Sequence, residues 1–286
     1  RLIRSPFRDL PREVSILVAA SFFVAVGFGI IMPAIPVFAK SFGVNNAAIG
    51  LMVSAFAITR FASGLISGTM VDKFGERKVF STGVFMVSLF TFLAGVAQNY
   101  EQLLFFRAAG GLGSSMFSVA ASSVIMRSVS DDQRGHAQSV YQGSFIVGGM
   151  AGPAIGGLLS VISLRAPFFV YSVLLFCSGL VALFFLKGDS IGAKVKNSES
   201  DGATTIREAL AMPPYRIALV LAFIGTWVFF GMRASILPVF VTEELNSTTA
   251  VVGYGFALSA IVQGAILLRA GRFSDRRGRR AASILG

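Results

Sequence analysis

The stretch Gly68–Lys78, GTMVDKFGERK, crowds Asp72, Lys73, Glu76, Arg77 and Lys78 between two long apolar runs. An echo at Gly271–Arg280, GRFSDRRGRR, again follows an apolar run. Both read G-x-x-x-D-[KR]-x-G, followed by a basic residue within the next two positions. A soluble protein can scatter its charges over its whole surface. A chain that threads a bilayer must compress them into the short turns outside the hydrocarbon. The stretch therefore reads as a turn between two membrane-spanning helices.

The composition agrees. Hydrophobic residues make up 54% of the chain and charged residues 14%, against about a quarter charged in soluble domains. The 31 glycines suit helices that approach closely in lipid. The single Cys177 excludes an internal disulfide framework. The first apolar run, near 25 residues, exceeds the roughly 7–15 of a signal-peptide core and reads as a retained span.

A hydrocarbon core of about 30 Å needs roughly 20 apolar residues per helix. Eight stretches meet this: Ser15–Ala39, Ile49–Val71, Val79–Ala97, Leu103–Ile125, Ala137–Ile162, Pro167–Leu186, Ile217–Val241 and Val251–Leu268, and a ninth begins at Ala281. Alternating polarity is absent over these lengths, which argues against a barrel. The expectation is an all-α polytopic membrane protein.

Orientation follows from the basic residues. Of the 25 Lys and Arg, Arg60, Arg107 and Arg233 fall inside apolar stretches and only Lys40 and Arg165 fall on one side. All the others fall on the opposite side. The reading is a multi-pass plasma (inner) membrane protein with a cytoplasmic N-terminus and central loop. The net charge of +11 is then explained by topology, and nucleic acid is excluded as a partner. The polar stretch Lys187–Pro214 divides the chain into a six-helix half (1–187), a cytoplasmic linker (188–214) and a partial second half (215–286).

The echo sets a register. Aligning Asp72 with Asp275 places Gly68 on Gly271, Gly75 on Gly278 and Arg60 on Gln263. With one extra residue in the second copy, PVF at Pro36–Phe38 falls on PVF at Pro238–Phe240 and Gly29 on Gly231. Helices 1 and 2 thus repeat as helices 7 and 8, the pattern of parallel six-helix repeats in transporters.

Gly68, Asp72, Lys73, Gly75, Arg77 and Lys78 resemble the loop 2–3 signature, motif A, of the major facilitator superfamily. Arg107 and Gly111 resemble its helix 4 signature. Gly148–Gly157, GGMAGPAIGG, resembles the helix 5 signature of its drug and proton antiporter subgroups. The resemblance covers the whole chain, which corresponds to roughly the first eight of twelve helices, so the chain reads as truncated at its C-terminus. It implies a monomeric exporter of small organic molecules, drug-like compounds or metabolites, working by alternating access between two halves. It also implies a proton as the coupling ion, with no cofactor and no metal. In the family the loop 2–3 signature helps lock one conformation, so Gly68–Lys78 and Gly271–Gly278 are expected to act as hinges. Asp72 can pair there with Arg127.

In helix 5, Pro153 removes a donor and frees the carbonyl of Gly149, favouring a bend. Gly148, Gly152, Gly156 and Gly157 are expected to leave one face nearly bare for another helix. The resemblance implies that this packing limits leak and biases the cycle toward export.

Ionisable groups within spanning helices are costly and mark functional positions. Arg60, Arg107 and Arg233 are the three, with Gln263, Gln142, Trp227, Phe23 and Tyr141 as further cavity candidates. Arg60 lies midway along its stretch and is expected to face the central cavity. Arg107 and Arg233 also allow a buried pair or a side chain reaching the outer interface. His136 reads as interfacial, and Pro33 and Pro36 as a bend in helix 1. All 14 acidic residues lie in loops or at helix ends. That departs from many proton-coupled exporters and suits an anionic or neutral substrate better than a cationic one. An importer or exchanger of an anionic or neutral metabolite is the alternative. Hydrolysis within the membrane would need paired acids, a Ser–His pair or H-E-x-x-H. None occurs in the eight stretches, so the chain does not read as an enzyme.

Overall fold

In the computed structural model the residues described are 10–130, 133–186, 206–228 and 240–245, with isolated positions at 237, 251, 255, 258, 259 and 262. The chain separates into two compact units, Arg1–Val195 with Ala260–Gly286, and Lys196–Ser259. Arg233, Gln263, Gly271, Asp275 and Gly278 lie outside the described residues, as do most of the linker and the second copy of the repeat.

The described part of the first unit is a helical bundle. Helix α1 (Arg12–Ile31) is apolar nearly all round and ends where Pro33 cannot donate. The chain restarts at once as α2 (Ala34–Lys40), so the proline pair breaks helix 1 near one end as expected. Asn45 caps α3 (Asn46–Ala62), accepting from the Ala48 amide at 2.9 Å. Then come α4 (Gly64–Phe74), α5 (Glu76–Val96), α6 (Tyr100–Ser128), α7 (Arg134–Ile162) and α8 (Ala166–Phe185). Among the described residues, four spans are long and apolar enough to cross a membrane: α1 with α2, α5, α6 and α8. The pair α3 and α4, bent by 45°, makes a fifth. At 29 residues, α7 is about 44 Å long, more than a bilayer core requires.

The bend between α3 and α4 has a readable cause. Ser63 donates its hydroxyl to the Thr59 carbonyl at 2.7 Å, and Ser67 donates to the Ser63 carbonyl at 2.8 Å. Hydroxyls bonding back to the carbonyl one turn earlier weaken and bend a helix. Thr59, Ser63 and Ser67 are spaced four apart and so line one face. On that face Ser67 also meets Ser115 of α6 at 3.1 Å.

Successive spans run in opposite directions, which gives the bundle two ends. The α4–α5 turn, the end of α6 and the starts of α1 and α7 share the Gly75 end. The α2–α3, α5–α6 and α7–α8 connections share the Arg165 end. Among the described residues the Gly75 end gathers Arg12, Lys73, Arg77, Lys78, Arg127 and Arg134, and the other end has Lys40 and Arg165. The most extensive packing is α1 on α7 and α5 on α6, followed by α8 on α5 and α1. Helices α3 and α4 lean mainly on α6, and Met52 is the one fully buried residue of α3. In the second unit, α9 (Ile206–Ala211), α10 (Pro213–Thr226) and a π-helical turn at Phe240–Glu244 are described.

Candidate functional site

At the Gly75 end, a single glycine closes α4 and opens α5. Its φ of +84° is open to glycine at little cost, and its amide still donates to the Val71 carbonyl at 2.9 Å. The sharp reversal makes Glu76 the first residue of α5 and turns it inward, leaving it 2% exposed. Arg127, in the last turn of α6, donates to Glu76 Oε1 at 2.7 Å and to Asp72 Oδ1 at 3.0 Å. Ser123 donates to the same Glu76 oxygen at 3.1 Å. One guanidinium thus holds α4, α5 and α6 together.

The two acids differ in depth. The Asp72 side chain is 71% exposed, so its pairing contributes little, on the order of 1 kcal/mol at most. Glu76 is buried, and its carboxylate is engaged by Arg127 and Ser123. Lys73 lies over the Phe74 ring at 5.4 Å, Arg77 is half-buried and Lys78 is exposed. An added Cβ on Gly68 meets nothing within 4 Å among the described residues.

Arg60 lies at the midpoint of the bent α3–α4 span, in the last turn of α3. Its Nη2 donates to Ser118 Oγ of α6 at 2.8 Å, and the residue remains exposed. Its backbone is held against α6 at Gly111, where an added Cβ would lie 2.6 Å from the Phe56 carbonyl oxygen and 3.1 Å from the Arg60 amide. The Thr59 hydroxyl donates across the same contact to the Ala108 carbonyl at 2.7 Å.

Arg107 forms no ion pair among the described residues and does not reach the surface. It is 9% exposed, with its guanidinium 4.5 Å from the centre of the Phe56 ring. Its Nε has no hydrogen-bond partner among the described residues. Of the secondary candidates on the first unit, Tyr141 is buried, Phe23 is half-buried and Gln142 is exposed on α7. Trp227 lies in the second unit, exposed, with its ring 5.9 Å from that of Phe223. No group of three or more His, Cys, Asp or Glu able to hold a metal occurs among the described residues.

The glycines of α7 fall on two faces, which corrects the expectation of one. Gly148, Gly152 and Gly156 lie four apart and press on α1. A Cβ on Gly148 would meet that of Ala25 at 2.7 Å. On Gly152 it would collide with the Gly29 backbone, and on Gly156 with the Ile30 carbonyl. At these three positions α1 packs closely on the face that the glycines leave without side chains. Gly157 is nine residues from Gly148, half a turn round the helix, and has nothing within 4 Å. Pro153 sits inside a helix that continues past it to Ile162. The Gly149 carbonyl, which Pro153 cannot pair, faces Gly29 of α1, where an added Cβ would meet it at 3.2 Å.

The family model described as Major Facilitator Superfamily matches residues 17–286. The chain belongs to that superfamily. Among curated relatives, Multidrug resistance protein 2 of Bacillus subtilis (strain 168) is 24% identical, over 88% of this chain and 64% of its own length. Quinolone resistance protein NorA of Staphylococcus aureus (strain MRSA252) is 26% identical, over 74% of this chain and 55% of its own. The chain thus spans less than two thirds of the length of these relatives. Among solved structures, the human organic anion transporter MFSD10 (TETRAN) superposes with a TM-score of 0.71 at 18% identity. That match covers 90% of this chain and 71% of the other, and supports the fold.

In this superfamily member the sequence-derived residues fall into separate places: Asp72 and Arg127 at the Gly75 end, Arg60 and Arg107 along the α3–α6 contact, and the glycines between α1 and α7. Three residues in the network were not singled out by sequence. Glu76 reads as one more turn charge, Ser118 as an ordinary helix serine, and Arg165 as a topology marker. Arg165 in fact donates to the Gly95 carbonyl at 2.8 Å and the Ala97 carbonyl at 2.9 Å, with its guanidinium 5.2 Å from the Phe38 ring centre. A weak signal for Glu76 was present, since the echo has Arg279 at the matching position.

Proposed function

We propose that the full-length protein is a secondary transporter that exports small organic molecules by alternating access, coupled to protons moving the opposite way. It works as a monomer in the plasma membrane, with the Gly75 end cytoplasmic, as the distribution of Lys and Arg supports. Residues 1–187 and the part from 215 onward form its two halves, joined by a linker at 188–214. It is not an enzyme. The observation that carries the reading is the cluster of Asp72, Arg127 and Glu76. Its buried member keeps α5 and α6 joined, while its exposed member, Asp72, can separate from Arg127 without opening the core. A hinge of this kind can change state during a cycle at small energetic cost. The names of the bacterial relatives, which concern drug and quinolone resistance, favour export.

The test uses energised everted membrane vesicles and a dye that reports the internal proton concentration. Fluoroquinolones and aromatic carboxylates are added in turn. At least one is expected to release protons from the vesicles. Asp72→Asn should lower that flux about tenfold or more, the scale of roughly 1.4 kcal/mol in a barrier, with membrane insertion intact. Net entry of the same compound into right-side-out vesicles without a preset gradient would overturn export.

A further inference from the structure

Arg60 is a cation at mid-span, and among the described residues no acid pairs with it. Asp72, on the bent α3–α4 span, and Glu76, which opens α5, are the acids nearest to it in sequence. Asp72 stands twelve residues away, about 18 Å along a helix. Both are engaged by Arg127. No other ion pair occurs among the described residues, and the eight apolar stretches contain no Asp or Glu. A charge held at this depth without a counter-ion is costly and calls for a partner.

The geometry around Arg60 fits one kind of partner. Ser118 engages one nitrogen, Nη2, and sets the plane of the guanidinium. The fork of N–H groups on its other side is unengaged by any described residue, and it matches two oxygens of one carboxylate or sulfonate. On the same helix face, one and two turns away, stand Ala57, Gly64 and Val53, all small and apolar. Ala57 is exposed, and a Cβ on Gly64 would meet only Ser115 Oγ, at 4.0 Å. Among the described residues, the cation is thus flanked on this face by small apolar residues and by no acid.

We infer that Arg60 is the binding point for the acidic group of an amphipathic organic monoanion, its apolar body lying along Val53, Ala57 and Gly64. This names the substrate class of the transporter reading above and rests on it. A cationic ligand would be repelled at this point, because the guanidinium has no acid partner among the described residues. Ser118 acts as a positioning residue, since it reaches the ligand only through Arg60.

The test is binding to the purified full-length protein in phosphatidylcholine nanodiscs, with empty nanodiscs subtracted. Three probes share a naphthyl body and differ in charge: 1-naphthylacetate, its neutral amide, and 1-naphthylmethyltrimethylammonium. Naphthylacetate should bind at least about 10-fold tighter than the cation. Arg60→Gln should weaken naphthylacetate by about 10- to 100-fold, the range of one charge-assisted bond, while leaving the amide nearly unchanged. Arg60→Lys, which keeps the charge and loses the fork, should fall between. Ser118→Ala should weaken the anion alone.

The inference is overturned if the cation binds as well as the anion, if naphthylacetate does not bind the wild-type protein, or if folded Arg60→Gln binds it normally. Should Arg60→Gln fail to fold, Arg60→Lys and Ser118→Ala decide: unchanged naphthylacetate affinity in both overturns it. Flux in proteoliposomes is scored separately. Binding of naphthylacetate without flux of any probe keeps the anion site and removes the transporter reading. Flux of the cation without naphthylacetate binding does the reverse.

Discussion

The two ends of the bundle satisfy their cations in opposite ways. At the Gly75 end Arg127 is 28% exposed and shared between two carboxylates, one buried and one open to solvent. At the other end Arg165 has no carboxylate partner among the described residues and donates instead to two backbone carbonyls over a phenylalanine ring. A carboxylate on a side chain can be exchanged for another anion by a change of rotamer. A backbone carbonyl moves only with its helix. The Gly75 end is therefore built to change partners, and the Arg165 end to keep α2, α5 and α8 together throughout. Motion in this half should concentrate at the end where a charged side chain has more than one possible partner.

Substitutions at four positions can break or sharpen that contrast, read by unfolding of the purified protein in detergent. Arg127→Ala should be the most damaging, about 2–4 kcal/mol, because it strands the buried Glu76 carboxylate. Arg165→Ala should cost about 1.5–3 kcal/mol, since two carbonyls lose charge-assisted donors. Arg165→Lys should restore little, because an ammonium lacks the planar fork. A full rescue by lysine would reduce Arg165 to its charge alone.

Glu76→Gln should cost about 1–2 kcal/mol, as the amide oxygen can still accept from Ser123 while the attraction to Arg127 is lost. The smallest stability change belongs to Asp72→Asn, below about 1 kcal/mol and shrinking further in high salt. The same substitution should have the larger effect on transport. If Asp72→Asn destabilised the fold as much as Glu76→Gln, the distinction between a fixed and an exchangeable acid would fail.

Much of this could be read from residues alone. Apolar runs of about 20 residues and the spacing of basic turns give a helical membrane bundle, because lipid leaves the backbone few other options. The partnership of Asp72 with Arg127 followed from placing both at one end. Glu76 was harder, since its depth depends on a glycine φ that reverses the chain within one residue. Arg107 was expected to pair or to reach the interface, and its position over Phe56 depends on how α3 crosses α6. Gly157 is a different case. Its separation from Gly148 is nine residues, and simple helical periodicity would have placed it on the opposite face. Ser118 could not have been found, since 58 residues separate it from Arg60 and nothing in its neighbourhood marks it.

The placement of Arg165 has one further consequence, which concerns helix dipoles. The residue immediately precedes α8, whose N-terminus carries a partial positive charge and repels a guanidinium. Its two acceptors are at the end of α5, whose C-terminus carries a partial negative charge and attracts it. The cation is thus set against the helix it belongs to and in favour of its neighbour. Any movement that drew the α7–α8 connection away from α5 would leave Arg165 facing only the like-signed end of α8. The field of the two helices would then draw it back, so the backbone itself supplies a restoring force at this end of the bundle.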